Sequence, residues 1–114
     1  MTRTPMTGWK IMRWDNAARQ LVSGADARLR FAHETGKIIT MPAPGIWMSL
    51  DRTHVLDHYA VHDHNALLTL EFDPDTIRAG NLTDRQTEFA TPSARVIGIE
   101  IFEDEIPDQM ELAS

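Results

Sequence analysis

Apolar and polar positions alternate with a period of two along most of this chain, and that period predicts a β-rich domain. From Gly8, the run GWKIMRW places Trp9, Ile11 and Arg13 on one side and Lys10, Met12 and Trp14 on the other, which predicts a strand. Residues 1–7 show no period and are expected to be a loose lead-in. Asp15 and Asn16 supply turn chemistry, and Ala17 to Val22 fits either a helical turn or a continued ribbon. Ala27 to Phe31 sets Leu29 and Phe31 against Arg28 and Arg30, the pattern of a half-buried strand. After a turn near Thr35 and Gly36, the β-branched run Lys37 to Met41 is stopped by Pro42, Ala43, Pro44 and Gly45, since proline cannot donate to a ladder.

The stretch from Pro42 to Glu71 organises the rest. It reads as a short strand, Gly45 to Ser49, and then a helix from about Asp51 to His62, with Ser49 or Asp51 able to cap its first turn. Val55, Leu56, Tyr59 and Ala60 form the helix's apolar stripe, which needs a sheet to pack on. A turn at Asp63 to Asn65 leads to Ala66 to Phe72, ALLTLEF, the most hydrophobic run in the chain and so a central strand. Asp73, Pro74 and Asp75 form a turn with a mechanism, Asx side chains bonding forward and a proline presetting φ. Thr76 to Arg78 is expected to pair briefly. Residues 82–92 read as polar and irregular, although Phe89 must find cover. In the last strand, Ala94 to Phe102, Ile97, Ile99 and Ile101 share one apolar face. The expected fold is α+β: a single small domain, residues 1–114, with a twisted, mostly antiparallel sheet and one principal helix.

Composition narrows the class. At 42% hydrophobic and 25% charged residues the chain is an ordinary globular domain, and 114 residues are enough for one core but not two. No apolar run reaches the ~20 residues that span a bilayer, and the first ten residues lack the apolar core of a secretory signal, so a cytoplasmic protein is expected. The absence of cysteine excludes thiolate catalysis, disulfides and cysteine-based zinc sites.

Charge is divided along the chain. Residues 1–50 hold seven basic against three acidic side chains, and residues 51–114 hold four against fourteen. A net charge of −6 with no basic run argues against gripping phosphate backbones. A patch of Lys10, Arg13, Arg19, Arg28 and Arg30 would suit a small anionic ligand, while a solvated, mixed surface is the plainer reading. The last twelve residues, EDEIPDQMELAS, hold five acids and no base, and are expected to lie on the surface or fray.

Two constellations point to chemistry. His54, His58 and His62 are spaced one helical turn apart, with Asp63 and His64 following, so imidazoles on one helix face could share a transition metal with a carboxylate from Asp51, Asp57 or Asp63. The alternative is a set of half-exposed histidines flanking the apolar stripe. The second constellation is distributed over GIWMSLD with the following HYA, over DRQTEFATPSARVIGI, and over Arg13 in KIMRW. The first patch looks like the segment of ADP-ribosyltransferases in which a strand ending in serine leads to a helix beneath the nicotinamide pocket. The second resembles the region carrying their (Gln/Glu)-x-Glu motif, here Gln86, Thr87 and Glu88, followed by an apolar residue, a proline turn and a strand.

That resemblance implies NAD as cofactor. Glu88 would hold the nicotinamide ribose hydroxyl and stabilise an oxocarbenium-like cation, Gln86 would orient the acceptor, Arg13 would hold the cofactor, and Ser49 and Tyr59 would support the pocket. The chemistry is compatible, because cleaving a glycosidic C–N bond builds positive charge that a placed carboxylate stabilises. The alternative reading is a non-enzymatic interaction protein of the small viral or mobile-element type, with the acidic second half meeting a protein partner.

Overall fold

The computed structural model describes residues 4–23, 28–59, 65–82 and 88–102, with the side chains of 57–59 left undescribed. The chain runs β1 (Met6–Asp15), β2 (Gln20–Val22), β3 (Arg30–Ala32), β4 (Ile38–Thr40), β5 (Ile46–Met48), α1 (Arg52–Tyr59), β6 (Ala66–Phe72), a 3-10 turn (Pro74–Thr76), β7 (Phe89–Thr91) and β8 (Ser93–Ile101). Six strands form one sheet in the order β3-β2-β1-β6-β8-β4, β5 and β7 form a second, and every ladder is antiparallel. The expected antiparallel sheet is therefore present. The balance differs from α+β with a principal helix: the domain is mostly β with one short helix of eight described residues, because the period of two dominates the sequence outside one stripe. The lead-in is also shorter than expected, since Met6 and Thr7 already pair with Phe72 and Glu71.

The pairing closes on itself. β4 and β5 follow each other alongside β8 and β7 as one bent ribbon, held at its bend by the Met41 N–H donating to the Pro92 carbonyl (3.0 Å). Beyond β5, Trp9 and Ser49 exchange both backbone hydrogen bonds (2.8 and 3.0 Å). Backbone pairing thus runs in a circuit through β1, β6, the β8–β7 strand and β5, and back to β1, curling the sheets around one interior. Met12, Leu68, Leu70, Phe72, Ile46, Met48, Phe89 and Val96 fill that interior.

β6 is central, as its sequence implies. Ala66, Leu68, Leu70 and Phe72 face the interior, while Leu67 faces outward to Ile11 and to Val55 of α1, with Trp9, Leu56 and Phe102 around them. The helix begins where expected: Asp51 Oδ1 accepts from the His54 N–H at 3.1 Å, filling one of the orphan donors of the first turn. The stretch 82–92 is not irregular throughout. Its residues Phe89–Thr91 form β7, and Phe89 is fully buried against Phe72, with ring centroids 4.9 Å apart. Gly80, at φ +77°, lets the chain pass this close, since a Cβ there would run into the Glu88 carbonyl and approach the Phe89 Cα within 2.7 Å.

The last strand corrects a second expectation. The register along β6 steps from Thr69↔Gly98 to Leu70↔Val96, so Ile97 is an extra residue in β8. An inserted residue reverses the alternation. Ala94 and Val96 face the interior before the bulge and Ile99 and Ile101 pack on it after, while Ile97 is left 44% exposed.

Candidate functional site

Among the described residues, Lys10 is the one charged side chain in the buried set, 6% exposed. It shares the interior-facing phase of β1 with Gly8 and Met12. Trp47 stands opposite Ala90, whose own N–H and C=O turn away to Ala79 and Arg78. The Trp47 carbonyl therefore looks toward β1, beyond the single Trp9–Ser49 pair, and Lys10 Nζ donates to it at 3.2 Å. Burial lowers the ammonium's pKa from 10.5 to about 8, and the charge of Glu88 acts in the opposite direction.

Glu88 and Ser49 each lie one residue beyond the Met48↔Phe89 pair, so they are neighbours across the β5–β7 ribbon. Ser49 is wholly buried, and its Oγ accepts from the Asp51 N–H at 3.2 Å. Two of the residues singled out by the ADP-ribosyltransferase resemblance are thus brought together, beside a lysine that sequence reasoning did not single out for this site. The signal was there: a lysine in phase with Gly8, Met12 and Trp14 on the face that the strand buries. A buried amine with a lowered pKa beside a carboxylate is suited to proton transfer or to holding an anionic group.

Arg13 stands elsewhere. It is exposed and, three residues along β1 from Lys10, points to the opposite side of the strand. Tyr59 is the last described residue of α1 and its side chain is not described, while Gln86 lies outside the described residues, as do His62 and His64. His54 is half-buried at the start of the helix. Among the described residues no three His, Asp or Glu side chains gather as a metal site.

The arginines of the first half are sorted by the sheet. Arg13 pairs with Val22 and Val22 with Arg30, a single row across β1, β2 and β3. Arg30 Nε donates to Gln20 Oε1 at 3.0 Å, and its guanidinium lies 3.9 Å from Asp15. Arg19, at φ +58° in the β1–β2 turn, instead covers the Trp14 ring at 5.2 Å.

No protein-family model matches this chain, and no curated protein or solved structure matches it significantly.

Proposed function

We propose that this chain is an interaction domain that binds a protein partner at an open end of its sheet. The observation carrying this reading is that the six-stranded sheet ends in β3 and β4, neither of which has a second strand beside it among the described residues. Open strand edges present main-chain donors and acceptors to an incoming chain. At the β4 end, Ile38 is 57% exposed and Ile97 44%. Ile38 pairs with Arg95, which makes Ile97 its diagonal neighbour on one outer face. Among the described residues, no helix is long and apolar enough to cross a membrane. The test is site-specific photo-crosslinking in cells from Thr40 and Ala32, with Thr7 as an exposed control. Adducts from the edge positions alone support the reading; equal labelling at Thr7 would remove it.

A second reading keeps Glu88 as a catalytic carboxylate of a minimal ADP-ribosyltransferase-like domain using NAD. What favours it is the adjacency of Ser49 and Glu88, together with the buried lysine on which the Glu88 charge acts. Titration with NAD followed by mass analysis for released nicotinamide decides it. Turnover that Glu88→Gln abolishes while the fold survives establishes the enzyme; no binding at millimolar NAD leaves the interaction domain.

A further inference from the structure

Resting on the interaction-domain reading, we propose that the β4 edge is its docking site and that the occupant is a second copy of this chain, paired β4 to β4 about a two-fold axis. The backbone decides which groups the edge presents. The Lys37 carbonyl accepts from the Val96 N–H at 2.8 Å and the Met41 N–H donates to the Pro92 carbonyl at 3.0 Å, so Lys37, Ile39 and Met41 turn their main-chain groups toward β8. Ile38 and Thr40 therefore turn theirs away from the sheet. The set is bounded at both ends, because the Gly36 N–H is taken by the Val96 carbonyl and Pro42 has no N–H to give.

Two donors and two acceptors are left, two residues apart on a strand of three residues. Such a set is its own complement. With the axis at Ile39, Ile38 exchanges both bonds with Thr40 of the copy and Thr40 with Ile38 of the copy, so every outward group on the strand is used. A flexible foreign peptide making the same bonds must first be ordered, whereas β4 of a second copy is already held extended by β8. That difference selects the copy.

The side chains agree. Among the described residues, the exposed large hydrophobics are Ile38 and Ile97, and both lie at this edge. Pairing about Ile39 makes Ile38 the diagonal neighbour of its own copy, at about 8 Å, just as Ile97 is its diagonal neighbour within the chain. An apolar stripe then crosses four strands, from Ile97 through the two copies of Ile38 to the second Ile97. On the inner face the buried Ile39 meets its copy. A two-fold interface sets the residues nearest the axis against themselves, and here they are uncharged. Lys37, two residues from the axis, lies about 13 Å along the strand from its copy.

A ladder this short makes a small interface, so association belongs in the micromolar range. The experiment is sedimentation velocity on the full chain from about 1 to 500 μM, with backbone amide exchange at both ends of that range. Expected are a monomer–dimer equilibrium and exchange at Ile38 and Thr40 that slows as concentration rises. Ile38→Asp, at an exposed position, should weaken association by at least about tenfold, and Thr7→Asp by less than about twofold, with circular dichroism confirming each fold. The chain has no cysteine, so Ile38→Cys and Thr40→Cys variants read the register. Mixed, they should form a disulfide with each other at least about fivefold faster than either does with itself, because the self-pairs lie beyond disulfide reach. A dimer protected at Arg30 and Ala32 instead, or one that Ile38→Asp leaves intact, would overturn the β4 site. A monomer at the highest concentration, with Thr40 still forming adducts to another protein in cells, would overturn this inference alone; loss of both would overturn the interaction domain as well.

Discussion

Glu88 supplies the charge that steadies the buried ammonium of Lys10, the lysine standing on β1 and the glutamate one residue ahead of β7. The pair sits where the β5–β7 ribbon meets β1, so it reports on whether the circuit of strands is closed.

Its consequence for pH follows from the lowered pKa. Below pH 8 both folded and unfolded chains hold the Lys10 proton, and the folded chain bears the cost of a buried charge. Between about 8 and 10.5 the unfolded chain binds more protons, so stability should rise with pH, by roughly 3 kcal/mol across that window. Urea unfolding at pH 7 and pH 10 should show this rise in the native chain, and Lys10→Met should flatten it. A Lys10→Met slope equal to the native one would place the titration elsewhere.

Glu88→Gln removes the charge that favours the Lys10 ammonium. The lysine should then titrate at a lower pH, and at pH 7 the domain should lose about 1 kcal/mol, the scale of a partly exposed ion pair. The same urea series reads both. In the Lys10→Met background the Glu88 substitution should cost less than in the native chain, and the difference measures the coupling between the two charges.

Much of this fold could be read in advance. β6 and the Asp73–Pro74–Asp75 turn lie where their residues implied, with Asp73 Oδ1 accepting from the Asp75 N–H at 2.9 Å. Alternation also gave the two faces of β1. What escaped was long-range. Nothing local marks Ile97 as an inserted residue, because the bulge exists only relative to β6. β7 is three residues within a polar stretch, and its strand character comes from pairing with β5. Lys10 looked like a surface lysine until the ribbon folded over it. Ser49 and Glu88 are far apart in sequence, and they become neighbours only because β5 pairs with β7.

The bulge carries its own expectation. Ile97→Lys should change stability by less than about 0.5 kcal/mol, as surface changes do, since the side chain is exposed. Leu68→Ala, fully buried one strand away, should cost roughly 2–5 kcal/mol. Chemical denaturation of the two variants would separate them, and a large loss at Ile97 would mean that its outer face is covered.

Gly80→Ala tests how the backbone holds Glu88 in place. An alanine at φ +77° is strained by roughly 1–2 kcal/mol, and its Cβ would press on the Glu88 carbonyl and on Phe89. The obstacle is backbone rather than the end of a flexible side chain, so β7 must shift. That shift should carry the Glu88 carboxylate with it and weaken its hold on Lys10. The variant should therefore lose stability at pH 7 and also move the Lys10 titration downward, toward the Glu88→Gln profile. Destabilisation with an unmoved titration would show that the main chain at Glu88 can yield without displacing its side chain.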